Sequence, residues 1–374
     1  MAHSAVGVIF SNIHDNNIPE LSRHRTMASI PFGGRYRLID FALSNMVNSG
    51  ITTVGIVTKN NYQSLIDHLG SGKEWDLARK DGGIILLPPY SDETDAPYTT
   101  RLEALMGITG FLNRRKEDYV VISDCDGIAH LNVADILHYH EEKGADITMV
   151  YHETEKASVA SSYYITLQPD AATGRIKGLK INPKLEGAGK CNLYVNIMVM
   201  SREFLINTIQ DAVTRGLSSF GRDILTKNVD TLKIYGYKFE GYYAVISSIQ
   251  NYFSQSMELL NKDVRKELFG ARDIYTKVRD SAPSKYIDGA VVKNSLISDG
   301  CLIEGTVENC ILFRGVKIGK GSVVKNSIIM QDSVIGENVS LDCVITDKNV
   351  VIRDRRTLAG CDALPYFIAK GRML

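Results

Sequence analysis

Two aspartates separated by one residue stand at the end of an apolar run, and their spacing could serve chemistry. The run "YVVISDCD" covers residues 119–126 and predicts a buried strand that ends in Asp124 and Asp126. Residues two apart on a strand point to the same face, so both carboxylates should face one site. Ligand-binding groups of open α/β sheets gather where strands end. Asp126 is therefore either a ligand contact or a residue that only forms hydrogen bonds, and Asp124 could act beside it as a second carboxylate.

A second stretch with chemical meaning is "VIFSNIHDNN" (8–17), which follows the first predicted strand. A phosphate loop at such a place uses glycines, because the backbone must approach the phosphates closely, often with a positive φ. No glycine occurs in this stretch, and Asp15 would bring a negative charge to a bound anion. The stretch therefore does not have the composition of a phosphate loop.

The composition limits the class of protein and its partners. A chain of 374 residues is long enough for two domains. Lys+Arg and Asp+Glu both number 43, and a net charge of zero argues against nucleic acid or an anionic membrane as the main partner. No apolar run approaches the ~20 residues that span a bilayer, and no secretory signal is visible. The six cysteines form no C-x-x-C pair, so we expect reduced thiols in a cytoplasmic protein.

Apolar periodicity in the first part of the chain predicts an α/β domain. Short continuous apolar runs read as buried strands, and segments with helical spacing that end at a glycine lie between them. This alternation predicts βαβ units and a mostly parallel sheet. The predicted strands are 5–10, 52–59, 119–126 and 147–152, and the predicted helices are 38–49, 132–146 and 250–269.

After about residue 285 helical spacing stops and a six-residue aliphatic repeat begins. Val323, Ile329, Ile335 and Leu341 form one row of this repeat, with glycines between the apolar positions. Such a period is typical of a β-helix, and we expect three to four coils from Asp288 to Ile352. The chain then divides into an α/β domain (1–270), a linker (271–287) and a β-helix domain (288–374). The end coils need cover, which predicts packing against the α/β domain and neighbouring subunits in an oligomer.

Five segments of the chain carry a resemblance to a known family. They are "PFGGRYRLIDFALSNMVNSGI" (31–51), "GSGKEWDLARKDGGIILLPPY" (70–90), "HYHEEKGAD" (138–146), "FGRDIL" (220–225) and "FEGYY" (239–243). Together with the β-helix they resemble the bacterial glucose-1-phosphate adenylyltransferase family, also called ADP-glucose pyrophosphorylases. The resemblance implies a Rossmann-like, GT-A-like nucleotidyltransferase domain followed by a left-handed parallel β-helix. It also implies transfer of adenylate from ATP to glucose 1-phosphate, with Mg²⁺ held by aspartates.

The phosphate loop of that family, L-A-G-G-x-G-x-R-L, is absent from this chain. Its positions hold Ser11, Asn12 and His14 among others, and Asn16 replaces its arginine. The lysine of the family's K-P-A-x-P motif corresponds to Met27. The resemblance therefore implies that the nucleotide phosphates have lost most of their contacts.

Other family positions are also changed. The resemblance places the first metal aspartate at Asp126, and the second at Val245. The sugar-phosphate lysine corresponds to Asn182, and the Gly-Thr pair near the base corresponds to Thr100 and Arg101. Losing one contact to developing charge costs about 10²–10³ in rate, so several losses should leave little catalysis.

Three further residues are assigned through the resemblance alone. Glu240 and Asn196 correspond to the sugar pocket, and Arg35 lies where catalytic relatives carry a basic residue linked to sugar-phosphate effectors. Arg35 either binds such an anion or pairs with a carboxylate on the surface. Sugar phosphates or nucleotides are accordingly candidate ligands.

A degraded site of this kind is similar to the GlgD-type branch of the family, which accompanies a catalytic subunit. The resemblance implies a non-catalytic or weakly active regulatory subunit of glycogen biosynthesis in a heterotetramer, with no cofactor. The alternative is an active adenylyltransferase with an altered site, which would need Mg²⁺. A hexapeptide acyltransferase is a third class, but it generally uses a histidine on the β-helix, and His152 is the last histidine of the chain.

Overall fold

The computed structural model describes residues 4–89, 98–159 and 163–374 of the chain. Most of the loop over residues 91–100, and the last residue of the segment 70–90, lie outside the described residues. Strands β1 to β13 belong to the first part of the chain. They are β1 (Ala5–Phe10), β2 (Pro31–Phe32), β3 (Tyr36–Arg37), β4 (Thr53–Val57), β5 (Gly83–Leu87), β6 (Tyr119–Asp124), β7 (Gly127–Ala129), β8 (Ile147–Glu155), β9 (Ile165–Pro169), β10 (Ile176–Ile181), β11 (Lys190–Ser201), β12 (Ile234–Phe239) and β13 (Tyr243–Val245).

A nine-stranded, mostly parallel sheet forms the centre of this α/β domain, as predicted. Its order runs β10-β9-β11-β6-β1-β4-β5, and β8 lies between β11 and β12. β1 is parallel to both β4 and β6, whereas β11 is antiparallel to β6 and β8. β1 is buried along its whole length because helices cover both faces of the sheet, which explains its continuous apolar sequence.

The helices of the described residues are short, and none is long and apolar enough to cross a lipid bilayer. The predicted helix 250–269 is in fact two helices, because Asn261 accepts a hydrogen bond from the Asp263 N–H and starts a new one. A π-helical segment spans Phe220–Thr226. The α-helices are α1 (Pro19–Ser22), α2 (Leu38–Val47), α3 (Gln63–Leu69), α4 (Arg101–Gly107), α5 (Thr109–Asn113), α6 (Val133–Lys143), α7 (Arg202–Thr214), α8 (Ile249–Glu258) and α9 (Lys262–Phe269).

The second part of the chain is a parallel β-helix of three five-stranded sheets. The segment between Phe269 and Lys285 contains no helix or strand. The strands that follow are β14 (Lys285–Tyr286), β15 (Val291–Lys293), β16 (Leu296–Ile297), β17 (Leu302–Ile303), β18 (Thr306–Glu308), β19 (Ile311–Leu312), β20 (Lys317–Ile318), β21 (Val323–Lys325), β22 (Ile328–Ile329), β23 (Val334–Ile335), β24 (Ser340–Asp342), β25 (Val344–Thr346), β26 (Val351–Ile352), β27 (Thr357–Ala359) and β28 (Tyr366–Ile368).

The β-helix has more coils than the repeat predicted, and its repeat is shorter. Each sheet holds five strands, so the helix begins before Asp288 and continues past Ile352. Thr306 pairs with Val323 and Val323 pairs with Ser340, which makes a coil one residue shorter than three full hexapeptides. The interior positions therefore do not follow a strict six-residue repeat. In β21 the fully buried interior residue is Val324 and not Val323.

The β-helix and the α/β domain share one apolar core. In the sheet of β16, β19, β22, β25 and β28, neighbouring residues of a strand point to opposite sides, and both sides are buried in β19, β22 and β25. Leu312 and Ile329 fill the interior of the β-helix, whereas Ile311, Ile328 and Ile345 pack outward against the α/β domain. The outward row contacts the segment that follows the loop of residues 11–17, whose core members include Ile18, Leu21, Met27, Ile30 and Phe32. Burial on both sides explains why these strands carry consecutive apolar residues.

A buried ion pair also joins the two domains. The Arg25 guanidinium donates to both carboxylate oxygens of Asp347 at 2.8 Å, and the side chains are 2% and 3% exposed. Gly34 lies close to the same boundary with φ of 84°, and a Cβ there would meet the Ser298 hydroxyl at 2.6 Å. The segment from Arg25 to Gly34 is therefore fixed against the β-helix by charge and by close backbone approach.

We expect Arg25→Met to lower the free energy of unfolding by about 3–5 kcal/mol, because it leaves the Asp347 carboxylate buried without its cation. Urea denaturation followed by circular dichroism measures the change. The double variant Arg25→Met/Asp347→Leu should recover a large part of the loss, since neither charge remains. Lys190→Met is the matched control, because the Lys190–Glu153 pair is exposed and its loss should have no measurable effect. If Arg25→Met lowered the free energy of unfolding as little as Lys190→Met does, the buried Arg25–Asp347 pair would not stabilise the contact between the domains.

Candidate functional site

The end of β6 brings four ionisable side chains together, which we call the β6 cluster: His14, Arg101, Asp124 and Asp126. His14 Nε2 lies 2.7 Å from Asp124 Oδ2 and 3.6 Å from Asp126 Oδ2. The Arg101 guanidinium donates to the same Asp124 oxygen at 2.5 Å. All four side chains are buried or nearly so. The two carboxylates predicted to share a face do so, and two basic side chains lie against them.

Three different elements bring the partners to these carboxylates. The loop after β1 carries His14, and α4 begins with Arg101, immediately after Thr100 caps it through the Glu103 N–H. Asn196 lies where the pairing of β11 with β8 shifts register, at a φ of 59°. From there its side-chain amide donates to Asp126 Oδ2 at 3.1 Å. Asn196, which the resemblance assigned to the sugar pocket, therefore contacts Asp126.

Charge balance in the β6 cluster follows from burial. Burial opposes a charge on His14, but Asp126 and Asp124 outweigh it and raise the pKa of His14 to about 9. Burial also acts on Asp124, yet Arg101 and His14 hold the pKa of Asp124 below its usual value. Burial and the neighbouring Asp124 raise the pKa of Asp126, whereas His14 and the hydrogen bond from Asn196 oppose this shift. When both carboxylates are ionised, Arg101 and one proton on His14 offset their two negative charges.

The three potential metal ligands of the β6 cluster do not suit a divalent cation as they stand. Ligand atoms of His14, Asp124 and Asp126 lie within 4.8 Å of one another, close enough to surround an ion. However, Arg101 already pairs with Asp124, and a divalent ion would add charge to a cluster that is neutral without it. Desolvated charge without a partner is costly. The residues present therefore fit an internal ion-pair cluster better than a Mg²⁺ site.

Several polar groups in the loop of residues 11–17 form hydrogen bonds within the chain. The Ser11 N–H and hydroxyl both donate to the Val57 carbonyl, and the Asn17 N–H donates to the His14 carbonyl. Asn12 is buried and accepts a hydrogen bond from the Tyr98 hydroxyl at 3.1 Å. These N–H groups are consequently not directed at a phosphate, whereas Asn16 is exposed.

Met27 is a core residue, and its backbone holds the loop. Its side chain is buried among the apolar residues shared with the β-helix. Its N–H donates to Asp15 Oδ1 at 2.6 Å. Burial raises the pKa of Asp15 to about 7 despite this hydrogen bond, so that the loop carries a carboxyl group that titrates near neutrality.

The remaining predicted site residues are not all gathered at the β6 cluster. Val245 pairs with Gly127, next to Asp126, and the Ile246 N–H donates to the Asp126 carbonyl. A carboxylate at position 245 would thus stand near Asp126, and an apolar side chain stands there. Asn182 is exposed and holds the Tyr164 backbone, and exposed Glu240 pairs with Lys238. The structure does not bring Asn182 and Glu240 into the cluster.

Arg35 lies apart from the β6 cluster, beside a cavity between the two domains. Its guanidinium lies 5.5 Å from the centre of the Tyr36 ring. The cavity has a volume of about 130 Å³ and a strongly basic lining. Burial, with Arg37 and Arg25 nearby, lowers the pKa of Lys348 in its wall to about 7. The basic residues of this inter-domain cavity are Arg35, Arg37, Lys277, Arg279, Arg314 and Lys348.

Sequence reasoning did not find the two basic members of the β6 cluster. The resemblance marked His14 as a position that had lost a glycine and Arg101 as part of a changed Gly-Thr pair, and neither as a partner of the aspartates. One signal was available. Two aspartates on one face of a buried strand require cations, and a histidine and an arginine stood at the two rewritten positions.

Comparisons with known proteins agree with the fold. Residues 18–262 match the family model described as "Nucleotidyl transferase", and this match begins just after the altered loop. Residues 282–364 match "GlmU-like, C-terminal hexapeptide". The chain is 37% identical to the glycogen biosynthesis protein GlgD of Bacillus subtilis, over 98% of this chain and 96% of that protein.

Catalytic relatives are similar over most of their length as well. Glucose-1-phosphate adenylyltransferase of Fervidobacterium nodosum is 31% identical over 94% of this chain and 84% of that protein. The enzyme of the same name from Clostridium botulinum (strain Eklund 17B) is 33% identical over 86% of this chain and 84% of that protein.

The raised pKa of His14 predicts a specific pH dependence of stability. An unfolded histidine titrates near pH ~6.5 and folded His14 at about 9, so its stabilising charge is fully present below pH ~6.5. That contribution is lost as the pH rises through about 9. The difference in unfolding free energy between the wild type and His14→Asn should therefore shrink between these values, measured by urea denaturation.

His140 provides the control for this pH series. It is buried against the Thr148 hydroxyl, and burial lowers its pKa to about 4. The effect of His140→Asn should accordingly not change between pH ~6.5 and ~9. An equally flat profile for His14→Asn would show that His14 is neutral in the folded chain.

Proposed function

The chain belongs to the glycogen-synthesis nucleotidyltransferase family of GlgD and the glucose-1-phosphate adenylyltransferases, and from this premise we propose that it is a non-catalytic regulatory subunit. It works in the cytoplasm and needs no cofactor of its own. It assembles with a catalytic subunit into a heterotetramer. There it tunes the rate at which the partner makes ADP-glucose and pyrophosphate from ATP and glucose 1-phosphate.

The observation that carries this proposal is the neutral β6 cluster. Adenylyl transfer needs Mg²⁺ against the nucleotide phosphates and cations near the developing charge. In this chain the carboxylates are already bound by Arg101 and His14. Opening such a buried pair costs about 3–5 kcal/mol before a metal ion or a nucleotide gains anything. A second carboxylate near Asp126 could offset that cost by binding the metal ion, but Val245 occupies its position.

The inter-domain cavity supports the regulatory part of the proposal. Six basic side chains line it, and Asp67 is the acidic residue of the described lining. A sugar phosphate or nucleotide there would pair with Arg35 and its neighbours and would favour the charged form of Lys348. Residues from both domains form the wall, so that an anion would tighten the contact between the domains. No residue of the β6 cluster is among the described residues that line this proposed effector site.

Pyrophosphate release tests the absence of catalysis. With saturating ATP, Mg²⁺ and glucose 1-phosphate, the purified chain alone should show no turnover. Titrating the chain into the catalytic subunit should change that subunit's rate until the two reach a fixed ratio. Turnover on the order of 1 s⁻¹ by the chain alone would instead identify an active adenylyltransferase with an altered site.

Removing one cation of the β6 cluster should create a metal site. Arg101→Met leaves His14, Asp124 and Asp126 with an excess negative charge, and we expect Mn²⁺ to bind there at least about tenfold more tightly than to the wild type. Electron paramagnetic resonance of free Mn²⁺ measures the binding. Arg115→Met is a matched control, since Arg115 lies over the Phe111 ring away from the aspartates. Equal Mn²⁺ binding by wild type and Arg101→Met would contradict the charge balance assigned to the cluster.

A further inference from the structure

The wall of the inter-domain cavity holds more positive charge than it neutralises. Its six basic side chains come from the α/β domain, the linker and the β-helix, and Asp67 is the acidic residue of the described lining. The Asp67 carboxylate accepts a hydrogen bond from Gln63, and within the described parts of the chain it forms no ion pair with these cations. Cations that lie together without counter-charge repel one another, so the cavity favours an anion and disfavours each further proton.

Lys348 is the residue of this wall that carries a nucleophile. It lies between β25 and β26, and its N–H donates to Asp347 Oδ1 at 2.7 Å, a carboxylate that already pairs with Arg25. The Lys348 amino group has no hydrogen bond or ion pair of its own among the described residues. Because burial, Arg37 and Arg25 lower the pKa of Lys348 to about 7, about half of its amino groups are neutral at that pH.

Few groups near Lys348 oppose this loss of charge. Asp347 favours the charged amine, but Arg25 shares that carboxylate. His68 also lines the cavity, and burial lowers its pKa, so that it adds no positive charge near neutrality. Burial raises the pKa of Tyr36, which therefore stays neutral as well. The charged groups of the lining that face Lys348 are Arg35, Arg37, Asp67, Lys277, Arg279 and Arg314. The surroundings of this amine are thus predominantly cationic.

The cavity has room and binding groups for a small anion. Its volume of about 130 Å³ is roughly four times the ~30 Å³ that a water molecule occupies in the liquid. Arg35 and Arg279 have no carboxylate partner among the described residues. Arg314 Nε is buried without a hydrogen bond, and Asp299 Oδ2 lies 3.9 Å from it. Guanidinium groups bind phosphate oxygens strongly, so a phosphoryl group can be bound here beside a neutral amine.

We propose that Lys348 is a site of acylation by small acyl phosphates, which the cationic cavity binds through their phosphoryl group. The Lys348 Nζ lone pair attacks the carbonyl carbon, a C–N bond forms, and the C–O bond to the phosphoryl group breaks. Inorganic phosphate leaves with the proton that the amine loses. The charge of the donor favours protonation of Lys348, but deprotonating a group with a pKa of about 7 costs far less than deprotonating an ordinary lysine near ~10.4.

An acyl group on Lys348 would change the proposed effector site, and this consequence rests on the proposed function. An amide cannot be protonated, so that one of the six cations of the cavity is lost, and the acyl group fills part of its volume. A sugar phosphate or nucleotide should then bind more weakly. The acylation itself needs neither turnover nor a catalytic subunit, and it can be measured on this chain alone.

Acetyl phosphate tests the proposal on the purified full chain. Mass spectrometry of proteolytic peptides measures the rate of acetylation at each lysine between pH ~6.5 and ~9. At pH ~7 Lys348 should react at least about tenfold faster than exposed lysines such as Lys317, because the neutral amine is the nucleophile. The rate at Lys348 should level off above pH ~7, whereas the rate at a lysine of ordinary pKa keeps rising through this range.

Two further measurements separate binding in the cavity from the reactivity of the amine alone. Inorganic phosphate should slow acetylation of Lys348 and leave the exposed lysines unchanged. Arg279→Met should slow it at least about threefold, because the donor binds more weakly and Lys348 loses its proton less readily. Arg356→Met is the matched control, since Arg356 is exposed and does not line the cavity. Thermal unfolding of each variant verifies that it is folded.

The proposal would be overturned if Lys348 reacted no faster than the exposed lysines. It would also be overturned if inorganic phosphate gave no protection, or if Arg279→Met and Arg356→Met behaved alike, because the cavity would then not bind the donor. None of these results bears on whether the chain lacks turnover, which the pyrophosphate assay decides alone.

Discussion

Two carboxylates at the end of a central strand cannot remain buried without positive charge beside them, and much of this molecule follows from that requirement. Asp124 and Asp126 stand where the sheet would meet a ligand. Here the positive charge comes from within the chain. The loop after β1 brings His14, the first residue of α4 is Arg101, and a register shift in β11 turns Asn196 toward Asp126. The loop after β1, the start of α4 and the register shift of β11 are far apart in the sequence, yet all three provide partners for the two buried carboxylates.

The fold of the chain could be predicted from its sequence because each element depends on a pattern with a physical cause. Continuous apolar runs gave the buried strands of the sheet, and the aliphatic repeat indicated the β-helix. The predictions that were wrong concern where a helix ends and which residue of a strand faces the interior. Asn261 divides one helical pattern into two helices, and the shorter coil moves the interior position from Val323 to Val324. A periodicity count cannot detect such one-residue slips, because both neighbours are apolar.

The candidate site was predictable only in part. Asp126, Asn196 and Val245 lie close together as the family resemblance implied, whereas Asn182 and Glu240 remain on the surface. Met27, which the resemblance matches to a lysine of the family, has its side chain in the core between the domains. The pairing of Arg101 with Asp124 joins residues 23 positions apart, and neither hydrophobic pattern nor spacing specifies it. Buried ion pairs are difficult to predict from sequence for this reason.

The β6 cluster also has an evolutionary consequence. Its charges come from separate segments, so a single reversion toward a phosphate loop removes one partner and leaves another charge buried alone. Loss of His14 leaves Asp126 with less compensation, and loss of Arg101 does the same to Asp124. Each intermediate is less stable than the chain it started from. Under the proposed function, a return to catalysis would therefore require several changes at once, because each single change passes through a less stable chain.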